Sequence, residues 1–306
     1  MGTMNRRSFA GTLAGAAVGA SLFGLSRAAE REAPLCFSTL GCPEWDWNMI
    51  LEQAQRLSFR GIELRGIQGR MELPELPEFA GSAWKKSLED VKAHELKIVN
   101  LGASTAFHEP DADKRARGLE SAKRFVDLAH NLQAPYIRVF GDRYVEGEPR
   151  EATRDRIVTG LQELARHAQG SGVTALIESH GDFNKSPDLL AILTAVNREE
   201  VALLWDAHHT YAFGHESPEE TWNKLGAYVR HVHLKDSRPE GEAVRYVLTG
   251  QGTVPVKETA ETLAKGGYKG YYSFEWEKGW HAELEEPEVA FPHFVQEMRE
   301  YLGAGR

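Results

Sequence analysis

The sequence predicts an α/β fold of the closed (β/α)8 class, the TIM barrel, on three observations. Eight short β-rich runs alternate strictly with amphipathic helical stretches. The runs are apolar on both faces, as parallel strands covered by helices are. The 306 residues contain no Pro/Gly/Ser-rich linker to split them, and a barrel of this class takes about 250. An open doubly wound sheet is the alternative, but no G-x-G-x-x-G follows a strand, so its dinucleotide-binding form lacks its signature.

Residues 1–29 stand apart from the barrel, which is assigned to 33–306. Arg6 and Arg7 precede Phe9 and an uncharged Ala/Gly/Leu run to Ser26, with small residues at Ala28 and Ala29. This segment resembles a twin-arginine export signal, although Asn5 and Ala10 depart from its usual pattern. The resemblance implies export to the periplasm or outside the cell; an N-terminal anchor or a plain tail is the other reading. The run is short and glycine-rich beside the roughly 20 strongly apolar residues of a spanning helix, so stable membrane insertion after signal removal is not expected.

The strands are read in LCFSTLGC (35–42), GIELRG (61–66), KIVNLGAS (97–104), YIRVFGD (136–142), TALIESHGD (174–182), VALLWDAHH (201–209), VRHVHLKD (229–236) and GYYSFEWEK (270–278). Helical patterns such as WNMILEQAQRLSF, EATRDRIVTGLQELARHAQGSG and VKETAETLAKGG lie between them, with apolar residues three and four apart. Several open with Ser or Pro and close near Gly. PHFVQEMREYL closes the wall. Cys36 and Cys42 are the only cysteines. On one extended strand they would stand roughly 20 Å apart, beyond the ~7 Å reach of a bridge, so two free thiols are expected.

The net charge is −9, and Lys and Arg are scattered along helices. No basic stripe is present to neutralise phosphates, and no nucleic-acid partner is expected.

In a barrel of this class the working residues gather at the C-terminal strand ends. Strand five ends with Glu178 and His180, strand six with Asp206 and His209, strand seven with His231 and His233, and strand eight with Glu275. Alternation puts Glu178 with His180, and His231 with His233, on common faces. Several carboxylates buried together cost several kcal/mol each unless protonated or paired, and a divalent cation is the economical partner.

These residues sit in ALIESHGDF, WDAHHTY, HVHLKDS and YYSFEWE, four stretches in order at consecutive strand ends. With them the chain resembles the sugar phosphate isomerase/epimerase superfamily of xylose isomerase-like barrels, which also includes dehydratases and apurinic endonucleases. The resemblance implies that Glu178, Asp206, His233 and Glu275 hold one divalent metal ion. The oxygen-rich donor set favours Mn²⁺, Mg²⁺ or Co²⁺ and is compatible with Zn²⁺. His231, one pleat deeper, is read as a hydrogen-bonding residue that orients a ligand.

His209 in the D-x-x-H spacing, with His180, is assigned to substrate, and His208 to packing. Lys235 and Asp236 read as a loop ion pair; Glu63 and Arg65 either reach the mouth or form a barrel salt bridge. Trp45, Trp47, Phe107 and Trp276 either wall a sugar pocket or pack in the core. The long connection SRPEGEAVRYVLTGQGTVP suggests a loop over the substrate, with Arg238 and Arg245 as candidate contacts.

The expected chemistry is proton transfer through an enediolate of a keto sugar or polyol, with Glu178 and Glu275 as the acid/base pair. Loss of a β-hydroxyl would make the same site a dehydratase or lyase, and 3-keto-glycosides are a further substrate class. A nuclease would add a D-x-H pair after strand seven, where this chain has Ala243-Val244-Arg245-Tyr246-Val247. The reading from another class is a non-catalytic secreted sugar-binding barrel. The partner expected is a small carbohydrate, and pairing into homo-oligomers is left open.

Overall fold

A computed structural model describes residues 34–241 and 243–303. The export-signal assignment to residues 1–29 lies outside the described residues. The strands β1 (Leu35–Ser38), β2 (Gly61–Leu64), β3 (Lys97–Ala106), β4 (Tyr136–Phe140), β5 (Thr174–Glu178), β6 (Val201–Asp206) and β7 (Val229–Leu234) run parallel. After β7 a two-stranded antiparallel hairpin follows, β8 (Asp236–Glu240) and β9 (Ala243–Val247). Strand β10 (Tyr272–Phe274) then pairs with both β7 and β1 and closes the barrel.

The wall helices are α1 (Trp47–Arg56), α2 (Trp84–Ala93), α3 (Ala112–Asn131), α4 (Arg150–Ala168), α5 (Ser186–Val196), α7 (Pro218–Leu225), α8 (Val256–Lys265) and α9 (Pro287–Tyr301). A short α6 (Ala207–Ala212) continues directly from β6. Side-chain oxygens start several of them: Asp46, Asp111 and Ser217 accept from the backbone N–H groups of Met49, Lys114 and Glu220. Among the described residues no helix is long and apolar enough to cross a membrane.

All the predicted strands but the third end before their predicted bounds, and in two of them a side-chain hydrogen bond marks the stop. In LCFSTLGC the chain leaves the sheet at Ser38, whose Oγ accepts from Leu40 N at 3.4 Å, and turns into a 3-10 segment, Thr39–Gly41. The cysteines therefore do not share one extended strand, and the spacing argument fails. Both thiols are nevertheless free and buried, and burial holds each well above the ordinary thiol range. In VALLWDAHH the strand stops at Asp206, which accepts from His209 N at 3.1 Å and caps α6.

The apolar core lies between the strands and the helix ring. Inside the barrel a separate plug of Leu176, Ala202 and Leu204, with Tyr136 against it, fills the floor. Two residues further along β5 and β6, the same inward positions carry Glu178 and Asp206, so the interior turns from apolar to ionic within one pleat. Gly102 on β3 makes room for two arginines there: a Cβ at this position would lie 2.7 Å from Arg65 Cδ and 2.8 Å from Arg138 Nη2.

Candidate metal centre

The ends of β5, β6 and β7, and the residue after β10, bring Glu178, Asp206, His233 and Glu275 together. One donor atom from each lies within 4.8 Å of the others, and all four side chains are buried. His233 Nδ1 is 3.5 Å from Glu178 Oε1, 3.8 Å from Asp206 Oδ2 and 3.1 Å from Glu275 Oε2. Among the described residues His233 Nδ1 has no hydrogen-bond partner. A buried imidazole nitrogen and carboxylate oxygens converging in this way fit a divalent cation: three oxygen donors and one nitrogen, that nitrogen left uncommitted.

Beneath the quartet, Glu63 of β2 accepts from both histidines of β7. Its Oε2 is 2.7 Å from His231 Nε2 and 2.9 Å from His233 Nε2. Because a carboxylate only accepts, the Nε2 proton of His233 is committed to Glu63, and Nδ1 is the nitrogen turned to the quartet. Burial works to raise the Glu63 carboxyl, but the two imidazoles outweigh it and hold it well below the ordinary carboxylate range. The structure thus places Glu63 in the barrel, bonded to both histidines.

Lys235, assigned from sequence to a loop ion pair with Asp236, is fully buried instead. Its ammonium lies 2.6 Å from Asp206 Oδ2 and 2.9 Å from Glu277 Oε1, and also pairs with Glu275. Arg138 of β4 reaches Glu178 at 3.1 Å from Nε to Oε2. Arg65 sits over Gly102 near Arg138, Glu275 and Glu178, and burial, with Arg138 beside it, brings its guanidinium down to about 10. Five buried carboxylates, Glu63, Glu178, Asp206, Glu275 and Glu277, thus face three permanent cations, Arg65, Arg138 and Lys235. Nothing in the residue types alone singles out Arg138 or Glu277; their inward parity on β4 and after β10 was the available signal.

Asp236 has a different task. Its Oδ1 accepts from Ser237 N and Val254 N, and its Oδ2 from Gly250 N and Gly252 N, at 2.8–3.1 Å. A Cβ on Gly252 would fall 2.0 Å from Asp236 Oδ1, so the G-Q-G segment serves this clasp.

His209 lies 3.4 Å from Asp206 Oδ2 and 4.9 Å, ring to ring, from His180. Burial, only partly opposed by Asp206, lowers His209 to about 4, so its ring is neutral. His180 Nδ1 lies 3.4 Å from Asp142 Oδ1. His208 points the other way, to Ser237 Oγ at 2.8 Å, and burial pulls it down to about 3. Arg238 and Arg245 are register partners in the hairpin, and Tyr246 packs its ring 5.3 Å from His208. Trp45, Trp47, Phe107 and Trp276 are all buried. Among the described residues the exposed aromatics are Phe213, whose ring is 5.6 Å from that of His209, and Trp280, whose ring is 5.8 Å from the Arg65 guanidinium.

A family model described as a xylose isomerase-like TIM barrel matches residues 51–296. The fructoselysine 3-epimerase of Shigella flexneri is 23% identical over 232 residues, covering 72% of this chain and 82% of that protein. An L-ribulose-5-phosphate 3-epimerase of Escherichia coli O157:H7 is 27% identical over 175 residues, covering 56% of this chain and 60% of that protein. Among solved structures, D-psicose 3-epimerase of Clostridium cellulolyticum H10 with D-tagatose superposes with a TM-score of 0.69 at 17% identity, over 89% of this chain and 98% of that one. The 3-keto-D-glucoside 4-epimerase of E. coli does so with a TM-score of 0.71 at 15% identity, over 88% and 99%. These two structural likenesses establish the fold.

His208 predicts an acid limb in the stability profile. An unfolded histidine takes up a proton below about pH 6.5, while the folded ring resists protonation down to about 3. The unfolded state therefore binds more protons across that window, and stability falls as pH drops through it, by up to about 1.4 kcal/mol per pH unit from this group. Thermal melts of His208→Gln between pH 7 and pH 4 should show a shallower decline than the parent protein. Parallel curves would contradict the assignment.

Proposed function

Because the chain belongs to the xylose isomerase-like TIM barrel family, we propose that it is a divalent-metal-dependent sugar isomerase or epimerase that moves a proton on the carbon beside the carbonyl of a keto sugar or polyol. The observation that carries this reading is the convergence of three carboxylates and the uncommitted Nδ1 of His233 within 4.8 Å. The epimerase names of the relatives support it. Glu178, Asp206, His233 and Glu275 would hold the ion, Mn²⁺, Mg²⁺ or Co²⁺ by the oxygen-rich donor set, with Zn²⁺ compatible. Once bound, the ion would act as a Lewis acid that acidifies the C–H between a carbonyl and its neighbouring hydroxyl.

The protein's own groups do the rest. Glu178 and Glu275 come from β5 and β10, which β6 and β7 separate in the barrel order. They therefore address the reacting carbon from different sides, one removing the proton and the other returning it. Arg138 holds Glu178 in place, and Lys235 holds Glu275 while balancing charge as an enediolate develops. His180 and the neutral ring of His209 stand where they can exchange hydrogen bonds with sugar hydroxyls. Glu63 keeps the His233 tautomer fixed.

We further propose that residues 1–29 act as a twin-arginine export signal, on the Arg6-Arg7 pair and the uncharged run behind it.

Glu275→Gln should lower turnover by about 10²–10⁴-fold with little change in melting temperature. Proton NMR in D₂O with keto sugars should show deuterium entering one carbon in the parent protein only; near-parental exchange in the variant would refute the acid/base assignment. Glu63→Gln should weaken Mn²⁺ binding by about 10–100-fold in a competition titration against a chelating dye, and unchanged affinity would remove Glu63 from this role. Arg6→Lys with Arg7→Lys should leave a folded fluorescent fusion in the cytoplasm, whereas continued export would argue against the signal.

A further inference from the structure

We propose that the cavity between the β8–β9 hairpin and the loop after β10 is a second subsite of the candidate centre, and that it takes the uncharged, hydroxyl-bearing far unit of a glycoside. The proposal rests on the sugar-converting reading above and narrows its substrate class.

The cavity measures about 400 Å³, within the range of about 300–1,000 Å³ typical of small-molecule sites. Arg238, Glu240 and Arg245 line it from the hairpin, and His281, Glu283 and Glu285 from the opposite loop. Among the described residues, Arg245 makes no hydrogen bond or ion pair, and neither do the carboxylates of Glu240 and Glu285. Uncommitted donors and acceptors thus share one concave surface. A hydroxyl gives and accepts a hydrogen bond at once, so a polyol matches the polar part of this wall, while Val244, Val247 and Leu284 leave apolar surface for its C–H groups. Three carboxylates outnumber two guanidiniums here, and a phosphate monoester, at about −1.5 to −2 charges near neutral pH, would be repelled.

Tyr246 ties this cavity to the centre. It lines the cavity, and its ring packs 5.3 Å from His208 on one side and 5.2 Å from His281 on the other. The residue before His281 is Trp280, 55% exposed, with its ring 5.8 Å from the Arg65 guanidinium of the barrel mouth. Trp280, His281 and Tyr246 therefore form an aromatic run from Arg65 at the barrel mouth to the cavity, and aromatic faces suit the C–H faces of sugar rings. A substrate spanning the two places has its reacting ring over the carboxylates and its second ring beyond Tyr246.

The test is calorimetric titration of the full chain, Mn²⁺-loaded and carrying Glu275→Gln to stop turnover, with cellobiose and with methyl β-glucoside. The disaccharide should bind about tenfold more tightly than the methyl glycoside, and Arg245→Ala or Glu285→Gln should bring the affinity ratio close to one. A ratio near one before mutation, or a ratio that the variants leave intact, overturns the subsite. Tighter binding of a phosphorylated or amino-acid-linked sugar than of cellobiose overturns the ligand class. The enzymatic reading is judged separately by deuterium exchange in the unmutated protein. Failed exchange with an intact affinity ratio sinks that reading and leaves the subsite standing, and exchange without a disaccharide preference does the reverse.

Discussion

Buried negative charge is the constraint around which this barrel is organised. A carboxylate taken out of water costs several kcal/mol unless something answers it, and five of them share the upper interior. The answers are three cations from different elements: Arg65 near β2, Arg138 on β4 and Lys235 after β7. Gly102 is part of the same solution, since only a residue without a side chain lets two guanidiniums lie side by side on β3.

Within that charge balance, strand β7 does most of the positioning. Its alternation sends His231, His233 and then Lys235 inward. Glu63 across the barrel accepts from the first two, which turns the free nitrogen of His233 toward the quartet. Asp206 combines two tasks: one oxygen caps α6, and the other faces Lys235 and the quartet. The backbone that ends β6 is thereby the same structure that aims a candidate ligand.

The connection after β7 is rigid rather than loose. Asp236 gathers three backbone N–H groups from the far end of the segment and that of the neighbouring Ser237, which ties the two ends of the β8–β9 connection together. That arrangement carries Tyr246 against His208 and sets the guanidiniums of Arg238 and Arg245 over a separate cavity.

The sequence by itself determined the barrel, because eight alternations of β-rich and helical runs have few other ways to bury both faces of every strand. Through the resemblance its strand-end stretches carry, it also named Glu178, Asp206, His233 and Glu275, whose donor atoms the closed barrel brings within 4.8 Å of one another. It did not determine where the strands stop, since Ser38 and Asp206 end theirs with side-chain hydrogen bonds that periodicity does not register. Nor did it reveal the partners of the quartet. Glu63 and His231 are 168 residues apart, and Lys235 and Glu275 are 40 apart. Only closure of the ring decided those pairings, because ionic partners are chosen by distance in space and by the cost of leaving a buried charge alone.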